Sequence, residues 1–135
     1  LKEYLNRVSK KLSVKQNSQP EKQTENLYPS QNRMVKETMD YIQENYLNNP
    51  SLQEMADRFH VSATYLSHLV KEKTGTNFIK HVTALRIQKA QDLLLHTNHS
   101  ISSIAKEVGY PDYSYFMRMF RQTTGMTPAE FRKKL

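Results

Sequence analysis

The 135-residue chain contains no cysteine and no tryptophan, and only three glycines and five prolines. Without cysteine there is no disulfide framework, no thiolate-bound zinc and no thiol nucleophile. Long apolar runs are missing as well. The longest are three residues, as in Leu93-Leu94-Leu95, so no segment reads as a membrane-spanning helix. No Gly-rich phosphate loop, Ser/His/Asp arrangement or acidic cluster is assembled, and the chain is not expected to be an enzyme or to hold a cofactor. Acidic residues are in deficit, 13 against 20 Lys and Arg, and the resulting +7 favours a polyanionic partner. At 37% hydrophobic, the chain is too apolar to be wholly disordered and suits one ordinary domain or two very small ones.

Three regions separate by composition. Leu1, Leu5, Val8 and Leu12 recur at steps of four, three and four, which predicts an amphipathic helix over residues 1–15. That stretch opens with Leu rather than Met and carries no secretory signal, so the chain is read as a fragment with further sequence before it. Residues 16–32 are rich in Gln, Asn and Ser and include Pro20 and Pro29, the composition of a polar linker. Residues 33–135 follow a helical pattern almost throughout, with no useful strand alternation. Val35, Met39, Ile42 and Tyr46 mark a first helix, ended by Asn48-Asn49-Pro50. Ser51-Leu52-Gln53-Glu54 predicts a capping box, with Glu54 reaching back to Ser51. A long helix is expected over 77–96, apolar at Phe78, Val82, Leu85 and Leu93. Thr127-Pro128-Ala129-Glu130 opens a last helix with a Thr cap and Pro at the first helical position.

An internal repeat organises this region. Ser51, Leu52, Met55, Ala56, Phe59 and Val61 return forty-nine residues later as Ser100, Ile101, Ile104, Ala105, Val108 and Tyr110. Tyr65, Leu66, Leu69, Val70, Thr74 and Gly75 return after fifty as Tyr115, Phe116, Met119, Phe120, Thr124 and Gly125, so the second copy has one extra turn residue. Each copy, about 51–75 and about 100–125, reads as a helix-turn-helix. A small Ala in the middle of the first helix permits a close crossing, and apolar neighbours fix the second helix steeply against it. The outward face of each second helix stays polar: Ser62, Thr64, Ser67, His68 and Lys71, then Tyr113, Ser114, Arg118 and Arg121. Such groups can meet base edges and phosphates. Two solvent-facing helical hairpins in an ordinary bundle are the plainer alternative. The connecting helix of roughly twenty residues spans about 30 Å, near the spacing of about 34 Å between successive major grooves.

These residues resemble the DNA-binding domain of the AraC/XylS family of bacterial transcription regulators, over about Met34 to Leu135. The resemblance is carried by Gly109-Tyr110 with Asp112, by Tyr115-Phe116-Met117-Arg118-Met119-Phe120-Arg121, and by Gly125-Met126-Thr127-Pro128 with Phe131-Arg132. Arg86, Ala90, Leu93 and Leu94 match the family's linker helix. The resemblance implies an all-α fold of two helix-turn-helix units joined by a linker helix. It implies binding of an asymmetric site in double-stranded DNA as an activator or repressor, in the cytoplasm and on the nucleoid. RNA polymerase would be a partner of an activator. The family's contact positions fall on Ser62, Ala63, Thr64, Ser67, His68 and Lys71, and on Tyr113, Ser114, Met117, Arg118 and Arg121. Two departures stand out: His68 replaces a longer donor, implying weak or pH-sensitive base contacts, and Val70 replaces a frequent Phe, implying a smaller core.

Other residues read more simply. His96 and His99 lack a third ligand nearby and suit exposed polar positions, so no metal site is expected. His60 and His81 read the same way. Arg86 reads as a structural residue bridging the two units rather than a base reader, and the methionines as core filler. A helical protein-interaction module, dimerising or docking through residues 1–15, is the alternative of another class. RNA binding lacks its usual aromatic sheet platform and Gly-rich clamps.

Overall fold

A computed structural model describes residues 29–134, which are all helical apart from turns. The predicted helix and linker at residues 1–15 and 16–28 lie outside the described residues. In chain order the helices are α1 (Gln31–Asn45), α2 (Leu52–Arg58), α3 (Ala63–Thr74), α4 (Phe78–His96), α5 (Ile101–Glu107), α6 (Tyr113–Thr124) and α7 (Pro128–Lys133). Helix α1 begins at Gln31, so the last two residues of the stretch read as linker are helical. Ser30 makes this start workable: its hydroxyl accepts the Arg33 N–H at 3.1 Å. No helix among the described residues is long and apolar enough to cross a membrane.

The chain divides into two compact units, one of residues 29–42 and 51–78, the other of 43–50 and 79–134. In the first, Met34 and Val35 of α1 pack with Met55 and Ala56 of α2 and with Leu66, Leu69 and Val70 of α3. In the second, Ile87, Ala90 and Leu94 of α4 pack with Ile104 and Ala105 of α5 and with Phe116 and Phe120 of α6. Phe131 of α7 closes this core edge-on to Phe120, with ring centroids 5.6 Å apart. Of the apolar seam expected along α4, Phe78 and Val82 are buried as expected, and the rest is corrected. Leu85 and Leu93 are half-buried, and Ile87, Ala90 and Leu94 lie deeper. Their steps of three and four make one helical stripe, the one the second core covers.

Both helix-turn-helix copies turn by the same backbone device. Val61 N–H donates to Ala56 O at 3.0 Å and His60 N–H to Asp57 O at 3.1 Å. Tyr110 N–H donates to Ala105 O at 2.8 Å and Gly109 N–H to Lys106 O at 3.1 Å. These paired bonds form a Schellman motif, which needs a left-handed residue just past the helix. Gly109 fills that place at φ 93°, and His60 fills it at φ 60°. His60 is therefore a conformationally special turn residue, where the sequence reading made it an ordinary polar one. The extra turn residue of the second copy is present: four residues separate α2 from α3, and five separate α5 from α6.

The capping box predicted at Ser51 is also corrected. Ser51 Oγ accepts the Glu54 N–H at 3.1 Å, as expected. The return bond is made instead by Tyr41 of α1. Its hydroxyl accepts the Ser51 N–H at 2.9 Å and donates to Glu54 Oε2 at 3.4 Å. The predicted cap of α7 has both bonds, between Thr127 and Glu130.

Candidate nucleic-acid interface

The outward face of α3 begins at its cap. Ser62 is exposed and its hydroxyl oxygen accepts the Tyr65 N–H at 3.0 Å, which starts the helix. Thr64, His68 and Lys71 follow on one exposed stripe at steps of four and three, and Ser67 is half-buried beside them. Ala63 packs partly against the first core. On α6 the cap is Asp112, whose Oδ1 accepts the Tyr115 N–H at 3.1 Å. Ser114, Arg118 and Arg121 form the matching exposed stripe, Met117 is half-buried like Ser67, and Tyr113 is exposed at the first position. Of the eleven residues singled out in the sequence, eight are exposed on one face of α3 or α6, Ser67 and Met117 are half-buried beside them, and Ala63 packs partly against the first core. The opposite sides of the two helices, Leu66 with Val70 and Phe116 with Phe120, are fully buried.

Charge on these faces is available to an outside partner. On α1, Arg33 pairs with Glu37 at 3.4 Å and Lys36 with Asp40 at 3.1 Å. Among the described residues neither Lys71 nor Arg118 enters such a pair. Arg121 lies in the field of Glu130, where it adds to the ionised form's stability. The Glu130 carboxyl is held below its ordinary range first by the Thr127 backbone N–H and then by the Thr127 hydroxyl.

Several supporting residues were given no such part by the sequence. Tyr65 and Tyr115 occupy equivalent exposed positions, and the Tyr65 hydroxyl accepts from Gln31 Nε2 at 3.0 Å. The repeat alignment pairs them without indicating exposure. Lys73 is buried at the end of α3 and its Nζ donates to Asn32 Oδ1 in the first turn of α1. Burial pushes its pKa below the ordinary lysine value, partly offset by Glu72. Arg132 of α7 donates to Leu94 O at 3.1 Å and Thr97 O at 3.3 Å, satisfying carbonyls at the end of α4.

Arg86 is structural, as expected, but its partners correct the bridging role. Nε donates to Tyr46 O at 2.6 Å and Nη1 to Gly109 O at 3.2 Å, both within the second unit. His99 places Nδ1 3.0 Å from Glu107 Oε2, a local pairing of the α4–α5 loop with the end of α5.

A family model described as a helix-turn-helix domain matches residues 55–134. Over all 135 residues the chain is 34% identical to the regulatory protein PocR of Salmonella typhimurium, covering 44% of that protein. Over 109 residues, 80% of the chain, it is 32% identical to the arabinose operon regulatory protein of Escherichia coli and covers 37% of it. The chain therefore spans less than half the length of these two relatives. Among solved structures, the C-terminal domain of AraT, a response regulator from Geobacillus stearothermophilus, superposes with a TM-score of 0.70. The two are 34% identical, and the match covers 76% of this chain and 85% of that one.

Proposed function

The chain belongs to the AraC-type helix-turn-helix family of transcription regulators, and from that membership we propose that its two units read one asymmetric duplex site as a monomer. In this reading α3 and α6 enter neighbouring major grooves. Ser62, Ala63, Thr64, Ser67, His68 and Lys71 make the contacts of the first unit. Tyr113, Ser114, Met117, Arg118 and Arg121 make those of the second. The supporting observation is the equivalence of the two faces, each with a polar stripe outside and a fully buried apolar side behind it. Along the chain, the two helix-turn-helix segments are connected by the 19-residue helix α4, about 28 Å long. Arg118, with its planar fork, suits a guanine edge, and Arg121, a turn later, suits a phosphate. His68 is shorter than an arginine and gives the first unit less reach.

Selection of duplexes from a random pool, followed by footprinting of the winner, tests this reading. Two protected major-groove patches about one helical turn apart are expected, bound at one chain per duplex. Each neutralised phosphate should add about 0.9 to the slope of log K against log salt. Equal affinity for the selected duplex and a shuffled one at every salt concentration would remove specific reading. A single protected patch would remove the two-groove arrangement while leaving DNA binding intact.

A further inference from the structure

Arg118 is an exposed side chain, and a freely moving guanidinium would lose rotamer entropy on docking to a base edge. It is not freely placed. Its Cζ lies 5.4 Å from the centroid of the Tyr115 ring. The Tyr115 ring in turn meets the Tyr110 ring, with centroids 5.5 Å apart and planes tilted by 58°. Tyr110 is buried and has the Arg86 guanidinium over its face at 5.0 Å. The far end of this series is fixed: Arg86 is itself buried and bonded to the carbonyls of Tyr46 and Gly109. Tyr110 is further held by the Phe116 ring at 6.0 Å.

We propose that Tyr115 is a positioning residue for Arg118, the outer member of a series Arg86–Tyr110–Tyr115–Arg118 that sets selectivity at the base pair Arg118 meets. This rests on Arg118 being a donor to duplex DNA. A ring packed against the buried Tyr110 holds the guanidinium by its quadrupole before DNA arrives, and part of the ordering cost is then met during folding rather than binding. Tyr115 is 38% exposed, whereas its neighbour Phe116 is fully buried, so core packing falls to Phe116 and leaves Tyr115 for this contact. The first unit lacks the series. The counterpart of Tyr110 is Val61 and that of Arg118 is His68, and Tyr65 is held by Gln31 instead.

The test uses the full chain and single-base variants of a duplex that it selects from random sequence. Arg118→Ala should relax preference at one base pair. Tyr115→Leu should relax preference at that same pair by about two- to fivefold, the equilibrium equivalent of an exposed cation–π contact. It should change nothing further there when Arg118→Ala is also present, and Tyr115→Phe, which keeps the ring, should behave as wild type. Proton NMR of the free protein supplies a measure independent of any folding defect in Tyr115→Leu. Ring currents should shift the Arg118 side-chain protons upfield in wild type and in Tyr115→Phe. Unshifted Arg118 protons in wild type would overturn the proposal. So would a folded Tyr115→Leu protein with full discrimination, or a Tyr115→Leu effect of equal size with and without Arg118. If wild type selects a duplex but Arg118→Ala relaxes no pair, Arg118 is not a reader and the series positions nothing. If wild type selects no duplex, the DNA reading itself fails.

Discussion

At the scale of single residues, the two Schellman turns show how the same backbone demand is met in two ways. His60 adopts the left-handed conformation at φ 60°, which costs a residue with a Cβ about 1–2 kcal/mol. Gly109 avoids that cost, and a second constraint holds it there: an added Cβ would lie 2.9 Å from Arg86 Cζ and 3.1 Å from its Nη2. Arg86 cannot yield easily, because Tyr46 O, Gly109 O and the Tyr110 ring fix it. Gly75 has a similar φ of 88° but nothing within 4 Å of an added Cβ. Gly75→Ala should therefore cost about 1 kcal/mol, the strain of the conformation alone. Gly109→Ala should cost about 2 kcal/mol or more, since strain and collision add. Urea denaturation measures both, and equal losses would mean that the Arg86 contact adds no penalty.

At the scale of elements, α3 is tied to the first turn of α1 near both its ends, through Gln31 to Tyr65 and through Asn32 to Lys73. Lys73 makes this tie pH-dependent. Its folded pKa lies below the ordinary 10.5, with burial as the main cause. Between the lowered value and 10.5 the unfolded chain binds more protons at this site than the folded one, so stability rises with pH there. That contribution is fully present above 10.5 and is lost as pH falls through the folded pKa. Lys73→Met lacks the titrating group. The stability of wild type relative to Lys73→Met should therefore improve as pH is raised from neutral toward 10.5, as read by urea midpoints. A difference that is flat or falls over that window would show that burial does not disfavour the charged amine.

At the scale of the whole molecule, the net charge of +7 is not spread evenly in its effect. Exposed i, i+4 pairs on α1 engage Arg33 and Lys36 and contribute only about 0.3–0.5 kcal/mol each to stability. Lys71, Arg118 and Arg121 carry their charge on the two outward stripes. Arg121→Ala should weaken binding to all duplexes alike and lower the salt slope by about one. Melting temperature should stay near that of wild type, because Arg121 is exposed and its loss removes no core contact. An Arg121→Ala protein with an unchanged slope and an altered base preference would make Arg121 a base reader instead.

The sequence by itself determined the helical pattern, the duplicated helix-turn-helix and the two outward faces. Each of these rests on local periodicity, caps and turn residues, which act within a few positions along the chain. Ser62, Gly75, Asp112, Gly125 and the Thr127–Glu130 box stand where the helices begin and end for that reason. Tertiary structure alone decided how distant residues meet. Tyr41 displaces Glu54 from its return bond to Ser51, Arg132 satisfies the end of α4, and Arg86 locks Gly109. It also buries Lys73, which periodicity gives no reason to bury, and sets Tyr110 between Arg86 and Tyr115. These contacts join positions brought together only when the helices pack, and burial and approach are properties of the packed chain rather than of spacing along it.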